Sequence, residues 1–329
     1  MIPRAAAVAI AALVALDAPL ATRFAAARRS TRPIAPVSAC EGARDALPDA
    51  LFYELRAGAF PGSAYPDVAV HVPPGFDATR RPGVVIYFHG WEGCVAAALS
   101  RDDTTCSDAG AARPGSDLAS QIDAASVNAL LVAIELRRDM PTGEPGNLAM
   151  PGGLRDLLRE LFSEHLAAPL GCALEVDGLD RVVLVAHSGG YQAAASALAM
   201  GDVARITEVV LLDALYGADD VFSRWIRSQT PRFDPRVNDP LRFVDLYTCC
   251  GAAVERSRAL AQSLRDSLAL AGLASSVAVD DAEGPVEARA LAHAHAIVFK
   301  RVPGPHSDLP RAYFRQLVQE AGFAPLQAH

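Results

Sequence analysis

Residues 182–198 read VVLVAHSGGYQAAASAL, and this run decides the fold class. The apolar stretch RVVLVAH over 181–187 predicts a strand buried on both faces, because a half-solvated strand would alternate polar with apolar residues. Ser188 follows at once between small neighbours, and GYQAAASALAMG then predicts a helix. Strand, serine and helix in immediate succession are the layout of a nucleophile elbow, a sharp turn that lifts a serine hydroxyl above the sheet. Small neighbours are needed because helix and strand approach closely there. Gly190 supplies the last residue of the pattern G-x-S-x-G, whereas Ala186 stands where its first glycine would be. Alone, a serine flanked by glycine is an ordinary turn or cap signal, so the rest of the chain has to support the reading.

Working outward, VAVHVPPGF (68–76) is a short alternating strand stopped by a Pro-Pro-Gly turn, and RPGVVIYFHG (81–90) is a second continuous apolar run. Further strands are expected in ALLVAIEL (129–136), EVVLLDALYG (208–217), LRFVDLYT (241–248) and HAIVFKRV (295–302). Helices are expected between them: 117–125 opened by a Ser116 cap, an amphipathic face of Leu154, Leu157, Leu158, Leu161 and Phe162, then 219–228, 253–271 and a closing helix after PGPHSDLP. Parallel strands joined through helices require right-handed crossovers, so the pattern predicts an α/β fold with a doubly wound, mostly parallel sheet and helices on both faces.

Three features outside the elbow give the serine a chemical setting. IYFHGW ends an earlier buried strand, where the backbone N–H of Trp91 or Gly90 could join that of Gly189 in an oxyanion hole; His89 itself reads as a structural residue at a strand end. His306, in VPGPHSDLP after the last expected strand, satisfies the chain order serine, acid, histidine and is the candidate general base. Asp213, at the carboxyl end of the strand after the elbow helix, is the candidate orienting acid. Asp245 in FVDLYT is its rival, although it falls inside an apolar run, and Asp308 is too near His306 in sequence to orient it easily. Trp91, Tyr191 and Tyr216 each follow an expected strand end and are candidates for the mouth of a pocket or for core caps. Glu135 closes its strand at the same edge, as a substrate contact, a loop support or a solvated end.

These pieces in this order resemble the α/β-hydrolase superfamily from about residue 60 onward, and AHSGGY, LLDALYG and PHSDLP are similar to exported bacterial members of it. The resemblance implies a serine hydrolase with a Ser-His-Asp triad that transfers an acyl group to water through an acyl-enzyme. An ester, including a lipid-like one, is expected ahead of an amide because nothing indicates a peptide-docking domain. The same fold also hosts acyltransferases and binding proteins without turnover.

Bulk properties narrow the field. With 329 residues, 51% of them apolar, the chain can bury a full core in one domain, expected over 51–329. A formal charge of −8 gives no attraction for phosphate backbones, which argues against nucleic acid as a partner. The apolar run at 5–16 is too short to span a bilayer and suits an export leader over 1–27, followed by a Pro- and Arg-rich flexible segment over 28–50. Export to the periplasm or beyond is therefore expected, and VSAC at 37–40 raises lipid attachment at Cys40 as the less favoured version. The six cysteines fit no zinc spacing. A disulfide between Cys94 and Cys106 is expected to staple a polar loop beside the oxyanion turn, with free buried thiols as the other reading. No metal or other cofactor is expected, and His293 and His295, which alternate on one strand face, make only a weak metal pair. The loop 138–153 is long and Gly-rich, as lids and rigid connections both are. Acyl group, leaving group and oligomeric state are not legible.

Overall fold

Strand pairing follows the apolar runs. A computed structural model describes residues 47–106, 110–249, 251–284 and 295–326. The expected leader, most of the segment 28–50, Cys40, Cys250 and His293 lie outside the described residues. Nine strands form one sheet: β1 (Leu51–Tyr53), β2 (Val68–His71), β3 (Gly83–Phe88), β4 (Ala129–Ile134), β5 (Arg181–His187), β6 (Ile206–Leu212), β7 (Arg242–Tyr247), β8 (Val277–Asp280) and β9 (Ile297–Arg301). Their spatial order is β1-β2-β4-β3-β5-β6-β7-β9-β8. Pairing is parallel throughout from β4 to β8. Only β2 runs against its neighbours β1 and β4.

Burial explains the composition of the central strands. Along β5, Val182, Leu184 and Ala186 face one apolar layer while Val183 and Val185 face the other. The first layer is closed by α3 (Gly153–Glu160), α4 (Tyr191–Met200), α5 (Asp219–Ser228) and α6 (Ala252–Ala269). The second is closed by α1 (Val95–Leu99), α2 (Leu118–Ala125) and α7 (Leu309–Glu320). Neither face meets water, so polar residues have no place along the run. With the serine turn at the carboxyl edge of β5, the architecture is complete. This is the α/β-hydrolase fold.

Register places the loops that matter on one rim. Phe88 pairs with Ala186, His187 with Leu212, and Leu212 with Leu246, so β3, β5, β6 and β7 end side by side. Arg301 at the end of β9 pairs with Tyr247. The turns after these strands carry Gly90, Ser188, Asp213, Thr248 and His306.

Two local expectations change. The residue before α2 is Asp117 rather than Ser116: Asp117 has φ +56° and makes no side-chain capping bond, and Ser116 donates its N–H to the Ala97 carbonyl. The edge strands β1 and β8 are additions, being three and four residues long and too short to show a period.

Helix α4 starts so close to β3 that a Cβ added to Gly190 would lie 2.4 Å from the Phe88 carbonyl oxygen. Both are main-chain positions, so neither can yield cheaply. Gly190→Ala should therefore lower stability by about 1–3 kcal/mol in urea unfolding. Gly178→Ala, whose added carbon would meet its nearest neighbour at 3.5 Å, should stay within about 0.5 kcal/mol of wild type.

Candidate active site

Ser188 holds a left-handed backbone conformation, φ +52°, which a residue with a side chain adopts rarely and at a cost. It is half-buried and opens a short 3-10 turn, Ser188–Gly190, that runs into α4. The turn fits only because its neighbours lack side chains. A Cβ on Gly90 would stand 2.7 Å from the Ser188 Cβ, and one on Gly189 would stand 2.2 Å from the Pro141 carbonyl oxygen. Gly90 therefore lies directly against Ser188. Gly189 sits in the first turn of a helix, where N–H groups have no intrahelical acceptor, and among the described residues no hydrogen bond takes the N–H of Trp91.

His306 stands at the start of the turn His306–Asp308, its ring 40% exposed. Its Nδ1 donates to Asp213 Oδ2 at 2.7 Å, which leaves Nε2 as the free ring nitrogen. Asp213 lies just beyond β6, also left-handed at φ +46°, and is buried. Thr248, just beyond β7, donates its hydroxyl to Oδ2 at 2.7 Å and its N–H to Oδ1 at 3.3 Å. Burial pushes the Asp213 carboxyl up, but the hydrogen bonds from His306 and Thr248 outweigh it and hold the group below the ordinary range. A charged acceptor with its oxygens already engaged is suited to fixing the imidazole tautomer.

Asp245 has a different environment. It is fully buried on the α6 face of the sheet and accepts the Ser257 hydroxyl at 2.5 Å, with Oδ1 lacking a partner among the described residues. Burial pushes its carboxyl up to about 8. Asp213, not Asp245, contacts His306. Asp308 is met by the hydroxyl of Ser307.

Sequence reading missed His187 and Thr248. The His187 ring lies 4.8 Å from that of His306 and its Nε2 donates to the His306 carbonyl at 3.0 Å. Burial, with His306 beside it, pushes His187 down to about 4, so it is a neutral donor near pH 7. The residue preceding Ser188 thus holds the loop of His306 in place. The available signal was its position at the end of β5, next to the serine.

Two of the three aromatic candidates form a chain with His306. Tyr216 is edge-on to His306 at 6.3 Å, and Tyr191, buried at the start of α4, is 6.5 Å from Tyr216. Burial and the Asp213 charge push Tyr216 up to about 12. Trp91 is 52% exposed.

Glu135 is a support. Arg138 binds both its oxygens at 2.9 Å and Val95 donates its N–H at 3.1 Å, so a solvated strand end is the wrong description. Burial raises its carboxyl, but His89 and Arg138 outweigh that and leave it lowered. His89 Nε2 lies 3.1 Å from Glu135 Oε1 and 2.9 Å from the Leu136 nitrogen, and its Nδ1 donates to the Gly90 carbonyl at 2.8 Å. The turn at Gly90 is thereby tied to the end of β4. Cys94 and Cys106 form a disulfide, with Cα atoms 5.5 Å apart, and Arg138 also donates to the Cys106 carbonyl. Cys172 and Cys249 are disulfide-bonded as well, so the free-thiol reading does not hold for these cysteines.

The loop 138–153 is pinned along its length: Pro141 lies over Gly189, Asn147 donates its N–H to the Ala59 carbonyl at 2.9 Å, and Leu148 is fully buried. It is a connection rather than a free lid. His295 Nδ1 donates to the Ser275 carbonyl at 2.8 Å. Among the described residues, no cluster of three or more His, Cys, Asp or Glu side chains could hold a metal, and no helix is long and apolar enough to cross a membrane.

No protein-family model matches the chain, and no curated protein matches it. Solved structures resemble it in shape. A mutant of the feruloyl esterase module from Clostridium thermocellum, complexed with sinapinate, aligns over 80% of this chain and 85% of its own at 8% identity and a TM-score of 0.47. A siderophore hydrolase from Aspergillus nidulans covers 86% of this chain and 100% of its own at 12% identity and a TM-score of 0.39. The BES protein from Bacillus cereus covers 86% and 100% at 7% identity and a TM-score of 0.46. Likenesses at this level carry over neither substrates nor residue roles.

Asp245 has a measurable signature. The unfolded chain ionises near the ordinary 3.8, whereas the folded protein keeps the proton to about 8. Stability at this group is therefore full below the first value, falls as pH rises between the two, and levels off above the second. Asp245→Asn should lack the fall. Its stability relative to wild type, from urea unfolding at pH 5, 7 and 9, should rise between the first two and flatten toward the third; a difference constant across pH would contradict the assignment.

Proposed function

We propose that the chain is a serine hydrolase that cleaves an ester through an acyl-enzyme, with Ser188 as nucleophile, His306 as general base and Asp213 as the orienting acid. The observation that carries this reading is the 2.7 Å contact of Asp213 with Nδ1 of His306, on a loop held by the residue next to a strained serine. With Nδ1 engaged, Nε2 takes the proton from Ser188 as Oγ attacks the carbonyl carbon. The carbonyl oxygen becomes an oxyanion that rests on the N–H groups of Gly189 and Trp91. Collapse expels the alcohol, which receives the proton from Nε2. Water then attacks the acyl-enzyme by the same route, releasing the acid and restoring Ser188.

The substrate in this reading is a small-molecule ester, and residues 51–329 are the catalytic domain. The leader at 1–27 and segment 28–50 deliver and tether that domain. The Cys94–Cys106 disulfide supports export, since cytosolic thiols are kept reduced.

A fluorophosphonate probe should label wild type at Ser188 and leave Ser188→Ala unlabelled; equal labelling of both would end the proposal. On p-nitrophenyl esters, Asp213→Asn should lower kcat by roughly 10³-fold or more, because the imidazole loses its tautomer. Asp245→Asn should stay within about threefold of wild type. The reverse ranking would move the acid to β7.

A further inference from the structure

A cavity of about 810 Å³ lies beyond the oxyanion turn, with Trp91 and Glu92 on its wall. Gly90, the residue before Trp91, touches Ser188, so the turn that borders the proposed nucleophile leads directly into the cavity wall. Its volume exceeds what a methyl or ethyl group needs and suits a substrate arm of drug-like size.

Among the described residues on its wall, the charged side chains are paired or hydrogen-bonded. Arg138 is paired with Glu135, Arg137 with Asp139 at 2.8 Å, and Arg113 with Glu92. Three of the five N–H donors of Arg138 are engaged, two on Glu135 and one on the Cys106 carbonyl. Asp67, also on the lining, accepts the Leu55 N–H at 2.7 Å and is only 3% exposed, so it offers little surface to an incoming cation. A charged arm would therefore lose water without gaining a counter-ion, unless it first broke an existing pair. The ring faces are also partly taken. Arg138 covers Tyr65 at 3.4 Å and Arg137 stands over Phe60 at 6.0 Å, whereas Trp91 remains half exposed.

We propose that this cavity receives an uncharged arm of the substrate, with a flat ring of that arm stacked on Trp91, and disfavours arms carrying a formal charge. The proposal rests on the ester-hydrolase reading of the adjoining site and specifies its substrate class.

Two matched ester series test it, one varying the acyl side and the other the alcohol side, each with an uncharged benzyl-type arm, its carboxylate analogue and its ammonium analogue. In one of the series, kcat/KM should favour the uncharged ring at least tenfold over both charged forms. Asp139→Asn strips Arg137 of its partner, and should raise the ratio of carboxylate to uncharged turnover about tenfold in that series. Binding of the same esters to Ser188→Ala, followed by calorimetry, separates the two readings. Selective binding without Ser188 labelling in wild type would sink the hydrolase and keep the cavity. Labelling of Ser188 with equal turnover of charged and uncharged arms would overturn the cavity assignment alone, as would an Asp139→Asn ratio that does not move.

Discussion

The whole arrangement depends on one tight steric fit, the left-handed turn at Ser188. A backbone at φ +52° exposes the hydroxyl only if nothing occupies the space that side chains at 90, 189 and 190 would fill. Gly190 brings α4 onto the end of β3, Gly189 lets the 138–153 connection lie across the turn, and Gly90 lets the neighbouring strand end rest against the serine itself. Strain at one residue is thus held by close packing at three others, and the sheet supplies the rigidity that makes such strain durable.

Electrostatics then distinguishes two aspartates that sit near the ends of adjacent strands. Asp213 leaves the strand through its own left-handed turn and collects donors from Thr248 and His306, so its charge is welcome. Asp245 remains inside β7 with one hydroxyl for company, so its proton is welcome instead. The same side chain, on adjacent strands, favours its charged form in one environment and its neutral form in the other.

Much of this was legible in the residues. The runs around Val85, Leu131, Val183 and Val210 are apolar without alternation because helices cover both faces, and that alone implies a parallel sheet. The serine turn after β5, the late histidine and the aspartate beyond β6 that meets it follow from chain order on such a sheet. What resisted reading was whatever the third dimension decides. His187 looked like a strand end because its partner is 119 positions away. Thr248 gave no local signal, since it matters only beside Asp213. Strand alternation could not say whether Asp213 or Asp245 meets the imidazole, as one bend in the backbone settles it. The cap of α2 moved by one residue because Asp117 takes an unusual φ that no propensity announces.

Arg138 joins Glu135, the Cys106 carbonyl and the Tyr65 ring, while its own carbonyl accepts the Glu92 N–H. Four segments distant in the chain therefore share a single fastening. Loosening any one of them removes support from the rest, so the rim around Trp91 should open to solvent exchange as a cooperative patch instead of fraying loop by loop.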